Sequence, residues 1–124
     1  VAIVEDDAAV RRALARVLAA AGFRVDTFGS AEEFLVGGLD PPPQCALIDI
    51  HLPMMNGIEL RDHMTQAVPT SQAVFITADY QLARQHRDPH DAWLVKPVDE
   101  DSLIHAIAHA CSRSMNAAAH TKRP

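Results

Sequence analysis

The side chains best equipped for chemistry are four carboxylates, a hydroxyl and an amine: Glu5, Asp6, Asp7, Asp49, Thr77 and Lys96. Each stands at or just past the end of a short apolar run. The runs are Val1 to Val4, Cys45 to Ile48, Ala73 to Ile76 and Ala92 to Val95. Carboxylates with no softer ligand among them favour a hard cation such as Mg²⁺, and Mn²⁺ suits the same oxygen donors. A carboxylate held in that company can act as a nucleophile and carry a phosphoryl group. Phosphoryl transfer asks mainly for positioning and neutralised charge. A metal, the Lys96 ammonium and the Thr77 hydroxyl would provide both.

Simpler readings exist for each residue. Asp6 and Asp7 suit the N-terminal cap of a helix. Lys96 reads equally as a surface lysine, Thr77 as a strand end, and Pro53 and Gly57 as the makings of a tight loop. His105 and His109 are four apart on one helical face, with no third ligand in sight, so they read as solvated residues and not a zinc site. Cys45 and Cys111 lack metal-ligand spacing and read as small buried hydrophobes in a reducing, cytoplasmic setting.

Whether the six residues act together depends on the elements that carry them. Continuous apolar runs of four suit strands buried on both faces of a parallel sheet. A fifth segment, Phe23 to Phe28, alternates and predicts a half-buried strand nearer an edge. Between the runs, Val10, Leu14, Val17, Leu18 and Ala21 follow helical spacing over Ala8 to Ala21, and Gly22 is placed to end that helix. Ser30 and Glu33 form a capping box for a second helix. The sequence Asp40-Pro41-Pro42-Pro43 breaks the chain before the third strand. Further helices are predicted from Gly57 to Gln66, from Asp79 to His86, and from Asp99 along Leu103, Ile104, Ile107, Ala108 and Cys111. A polar tail follows Ser112. Strand and helix thus alternate about five times. Right-handed crossovers then put helices on both faces of a doubly wound α/β sheet, whose ligands bind at the carboxyl ends of the strands.

The chain of 124 residues suits one domain, and its first residues, Val1-Ala2-Ile3-Val4, suggest that the natural start lies a little upstream. Its composition, 48% hydrophobic and 22% charged, is that of a globular domain. A net charge of −5 speaks against a general nucleic-acid surface. No apolar run approaches bilayer-spanning length, so no membrane role is expected.

Four pieces together carry a resemblance: Val4-Glu5-Asp6-Asp7, Asp49-Ile50-His51-Leu52-Pro53-Met54-Met55-Asn56-Gly57, Ile76-Thr77-Ala78 and Lys96-Pro97. The chain resembles the receiver domain of two-component response regulators, the CheY-like superfamily. The resemblance implies a flavodoxin-like five-stranded parallel sheet of order 2-1-3-4-5. It implies a receiver domain over residues 1–112, with 113–124 a polar tail or the start of a linker. Asp49 would accept a phosphoryl group from a histidine kinase or a histidine phosphotransfer protein. Asp6, Asp49 and the His51 backbone carbonyl would hold Mg²⁺, with Glu5 acting through metal-bound water. Lys96 would pair with the phosphoryl oxygens, Thr77 would move toward them, and Trp93 would follow Thr77 inward or serve only as a packing aromatic. The Lys96–Pro97 bond would be cis.

The sequence departs from that pattern on one side of the sheet. Only 18 residues separate Thr77 from Lys96, His90-Asp91 replace a small-residue pair, and Trp93 is larger than the usual aromatic. His51, two residues after Asp49, and Asp79, two after Thr77, would flank the phosphoryl group and tune its lifetime in either direction. Rival readings are a small Mg²⁺-dependent phosphohydrolase with an aspartyl nucleophile, and a degenerate receiver that acts by binding alone. The phosphohydrolase would want an acid where His51 stands. The segment Phe23 to Leu35 resembles receivers joined to helix-turn-helix regulators. DNA contact is therefore expected only through an output domain outside this chain, and a homodimer is a further allowed partner.

Overall fold

A computed structural model describes residues 1–85 and 92–121. Five strands and five helices alternate. They are β1 (Ala2–Val4), α1 (Ala8–Ala20), β2 (Asp26–Phe28), α2 (Ala31–Gly37) and β3 (Cys45–Asp49), then α3 (Gly57–Ala67), β4 (Gln72–Thr77), α4 (Tyr80–Gln85), β5 (Ala92–Val95) and α5 (Glu100–Thr121). The strands form one parallel sheet in the order β2-β1-β3-β4-β5, as the resemblance implied.

Strand periodicity divides the core. Ile3, Cys45, Leu47, Val74 and Ile76 point to one face, where Leu14 and Leu18 of α1 and Leu103, Ile107 and Ala110 of α5 cover them. Ala2, Val4, Ala46, Ile48, Ala73 and Phe75 point to the other, against Phe34 of α2 and Leu60 and Met64 of α3. Successive strand residues alternate faces, so a sheet covered on both sides needs every position apolar. That requirement produced the uninterrupted runs. β5 lies at the edge and is only half-buried throughout.

The caps are local. Asp7 Oδ1 accepts from the Ala9 and Val10 amides at 2.9 and 3.1 Å. Ser30 Oγ accepts from Glu33 N–H at 3.1 Å, while Glu33 Oε2 reaches back to Gly29 N–H at 3.0 Å. The reciprocal half of this capping box thus falls one residue earlier than the standard pattern. Asn56 opens α3, its Oδ1 accepting from Glu59 N–H at 2.9 Å. Asp99 Oδ1 accepts from Ser102 N–H at 3.1 Å at the start of α5.

Three expectations change. β2 begins at Asp26 and not at Phe23, because Gly22 (φ +98°) and Phe23 close α1: Phe23 N–H reaches Leu18 O at 3.1 Å and Gly22 N–H reaches Ala19 O at 3.0 Å. This is a Schellman closure, and Phe23 packs on the cluster that contains Leu18. Phe23 and Val25 still face inward, so the alternation was real without the ladder. Secondly, the polar stretch beyond Ser112 continues α5 as far as Thr121, with Ser114 buried on the same face as Cys111. Thirdly, Ala108 is exposed, and Ala110 takes the buried position on α5. The predicted end of the fourth helix at His86, the His90-Asp91 pair and residues 122–124 lie outside the described residues.

Candidate functional site

Parallel strands all end at the same rim, and the chemistry collects there. Glu5 follows β1 and is 1% exposed; Asp49 closes β3 at 6%; Thr77 ends β4 fully buried; Lys96 follows β5. Carboxylate oxygens of Glu5, Asp6 and Asp49 lie within 4.8 Å of one another. Lys96 Nζ donates to Glu5 Oε2 and to Asp49 Oδ2, each at 3.3 Å. The second Asp49 oxygen, Oδ1, accepts from His51 N–H at 2.9 Å. Glu5 Oε1 accepts from Asp7 N–H at 3.1 Å. Asp6 is exposed, and no hydrogen bond or ion pair among the described residues occupies its carboxylate.

Three carboxylates and one ammonium leave this corner short of positive charge. Burial raises the Glu5 carboxyl to about 7, and the adjacent Asp49 carboxylate adds to the effect against the opposing Asp7 amide and Lys96. Burial works against the charged form of Lys96, but Asp49 and Glu5 outweigh it and hold its pKa above the ordinary lysine value. An oxygen-lined corner with one uncommitted carboxylate fits a hard divalent cation chemically.

Around this corner the backbone is closely held. Gly57 N–H returns to Ile50 O at 3.0 Å, and Met54 takes a left-handed φ of 72° in the loop between β3 and α3. A Cβ on Gly57 would come 2.8 Å from the Asp49 carbonyl oxygen and 3.0 Å from Ile48 Cγ2. Glycine there is a condition for packing α3 beside the Asp49 backbone, beyond the loop role its sequence suggested. Thr77 O accepts from Lys96 N–H at 2.7 Å, and Thr77 Oγ1 accepts from Asp79 N–H at 3.0 Å. The Lys96–Pro97 peptide is cis.

The remaining predicted positions fall as follows. The His51 side chain is exposed, and its backbone amide is what binds Asp49. Asp79 Oδ1 accepts from Leu82 N–H at 3.0 Å, so this carboxylate is engaged in capping α4. Trp93 packs inward, its ring 4.8 Å from that of Phe75 at 39°. His105 and His109 are exposed and form no metal cluster among the described residues. Sequence reasoning missed Arg11, whose Nη1 donates to Glu5 O at 2.7 Å. Its only advance signal is position: one turn into α1 after Asp7, where a long side chain reaches back over the strand end.

Residues 1–108 match the response regulator receiver domain family. The chain belongs to that family. A receiver domain is a signalling switch and not a conventional enzyme. The receiver is 28% identical over 114 residues to nodulation protein W of Bradyrhizobium diazoefficiens, covering 90% of this chain and 50% of that protein. It is 31% identical over 114 residues to the DNA-binding transcriptional regulator NtrC of Salmonella typhimurium, covering 89% of this chain and 24% of that one. Among solved structures it superposes on a CheY-like receiver domain protein of Methanospirillum hungatei with a TM-score of 0.79 and 25% identity, covering 94% and 95% of the two chains. The receiver therefore spans half, or only a quarter, of the length of these curated relatives. Among the described residues no helix is long and apolar enough to cross a membrane.

Proposed function

We propose that this receiver takes a phosphoryl group onto Asp49 from a phosphohistidine of a kinase or phosphotransfer protein. The observation that carries this reading is the double contact of Lys96 with Glu5 and Asp49, beside the uncommitted Asp6 carboxylate. Asp6, Asp49 and the His51 carbonyl would hold Mg²⁺ or Mn²⁺, with Glu5 acting through a bound water. When bound, the ion would neutralise charge on the transferred oxygens.

Asp49 holds one oxygen on His51 N–H and the other on Lys96. Attack on phosphorus forms a P–O bond to Asp49 and breaks the P–N bond to the donor imidazole, whose nitrogen leaves with the electron pair. Lys96 then exchanges its contact with the Asp49 carboxylate for the new phosphoryl oxygens. Thr77 gives up the Asp79 amide as it turns toward the same group. That exchange would link the chemistry to α4, and Trp93 on neighbouring β5 would follow or remain a packing aromatic.

Control of DNA would run through an output domain outside this chain, as in the Salmonella relative, a DNA-binding transcriptional regulator. Residues 113–121, as the end of α5, would lead toward it. Two free, buried cysteines suit a reducing cytoplasmic setting.

Intact mass after incubation with Mg²⁺ and a small phosphodonor tests the reading. One added phosphoryl group is expected, absent without Mg²⁺ and absent in Asp49→Asn. No gain from a folded protein, with a histidine-kinase donor failing as well, would leave a degenerate receiver acting by binding alone.

A further inference from the structure

Asp6 poses a positioning problem. It is exposed, and no group among the described residues holds its carboxylate, yet its oxygen lies within 4.8 Å of those of Glu5 and Asp49. An unrestrained carboxylate this close to two others would turn away into water, since like charges at this range repel. Its direction must come from the backbone on either side.

On the C-terminal side, Asp7 is fixed twice: its amide donates to Glu5 Oε1, and its carboxylate caps α1. On the N-terminal side, the peptide joining Glu5 to Asp6 presents its carbonyl to Arg11 Nη1 at 2.7 Å. Glu5 N–H is in turn held by Phe28 O at 3.1 Å. Arg11 is itself confined. A Cβ on Gly29 would lie 3.3 Å from Arg11 Nη1, so the guanidinium lies against a glycine that leaves it room. Gly29 N–H is anchored by Glu33 Oε2, which ties this wall to α2.

We propose that Arg11 is a positioning residue for the acidic site: its guanidinium fixes the Glu5–Asp6 peptide plane and so keeps the Asp6 carboxylate facing Asp49. This rests on the reading of the corner as a divalent-cation site. Arg11 touches neither phosphoryl group nor metal. It acts through a main-chain carbonyl, in the manner of outer groups that orient metal ligands. A charge-assisted bond of this length is a strong one for a single contact.

The test is Mn²⁺ binding, read from the electron paramagnetic resonance signal of the free ion, with no phosphodonor present. Arg11→Met keeps the length of the stem and removes the donor. It should weaken Mn²⁺ binding about tenfold, in line with other lost outer contacts. Arg11→Lys should recover part of that loss. Gly29→Ala would press on the guanidinium, which must give by a few tenths of an ångström while keeping its charge, and should weaken binding by less than Arg11→Met does. Combined with Arg11→Met it should add nothing further, since both changes act through one contact.

Unchanged Mn²⁺ affinity in a folded Arg11→Met protein would overturn the proposal, as would full additivity of the two changes. Should Arg11→Met fail to fold, Arg11→Gln, whose shorter uncharged side chain cannot reach the Glu5 carbonyl, decides in its place, and an affinity equal to wild type sinks the idea. A wild-type chain that does not bind Mn²⁺ would instead overturn the underlying reading of the site, and the role of Arg11 with it.

Discussion

At the scale of single residues, the corner around Asp49 is held by contacts that depend on protonation. Glu5 titrates near 7 in the folded chain, against an ordinary value of 4.5. The folded state therefore binds more protons than the unfolded one between about pH 4.5 and 7, and stability must fall as pH rises through that window. In the absence of divalent metal, thermal unfolding should show this decline and flatten above it; Glu5→Gln should remove most of the slope. A wild-type curve that rises across the window would show that Glu5 does not carry the proton. These residues were legible in the sequence because their chemistry resides in side-chain type, and because apolar runs announce where strands end. Arg11 was not, since a bond to a backbone carbonyl leaves no pattern in side-chain types. The roles of Asp79 and Gly57 escaped for a related reason: one depends on where a helix begins, the other on how closely two backbones pass.

Among the elements, α4 is the least secured. It spans Tyr80–Gln85, buries no residue, and relies at its start on Asp79 Oδ1 accepting from Leu82 N–H. Asp79→Ala should cost this helix about 1 kcal/mol of local stability. Amide exchange at Leu82 should speed up accordingly, while exchange in α3 stays unchanged. Equal protection in the two proteins would mean that the cap contributes nothing. The same residue gives its N–H to Thr77 Oγ1, so any movement of Thr77 disturbs the first turn of α4 directly. Among the described residues, the weak apolar periodicity after Ala78 matches a helix that buries no residue fully and sets only Leu82 against the core. By contrast, β2 misled through its alternation. Phe23 and Val25 face the core as a strand would, but Phe23 N–H belongs to the closure of α1. Hydrophobic pattern reports which way a side chain points; it is silent on which backbone partner the amide finds.

For the whole molecule, the sheet order places the β1, β3, β4 and β5 ends side by side, so one ion at the rim would tie the end of β1 to the end of β3, beside an ion pair that already joins Glu5 to Lys96. Binding to the folded state alone stabilises it by mass action. Mg²⁺ at about ten times its dissociation constant should add roughly 1.4 kcal/mol, which raises Tm by several degrees in a domain this size. Asp6→Asn should abolish the increment and leave the metal-free stability within about 0.5 kcal/mol of wild type, as for exposed substitutions generally. A Tm that ignores Mg²⁺ in the wild-type chain would contradict the metal reading. The overall architecture was legible because two-sided burial demands unbroken apolar runs, and that demand is global. The continuation of α5 to Thr121 was hidden by its composition, in which small and polar residues follow the same helical face past Cys111.

The packing of Trp93 against Phe75 has an optical consequence. The chain contains one tryptophan, so its tryptophan fluorescence comes from a single place on β5, beside β4 and on the sheet face that α3 covers. Any rearrangement that starts at Thr77 and passes along the β4–β5 pair would be recorded there without a label, and one confined to the opposite face of the sheet would leave the spectrum unchanged.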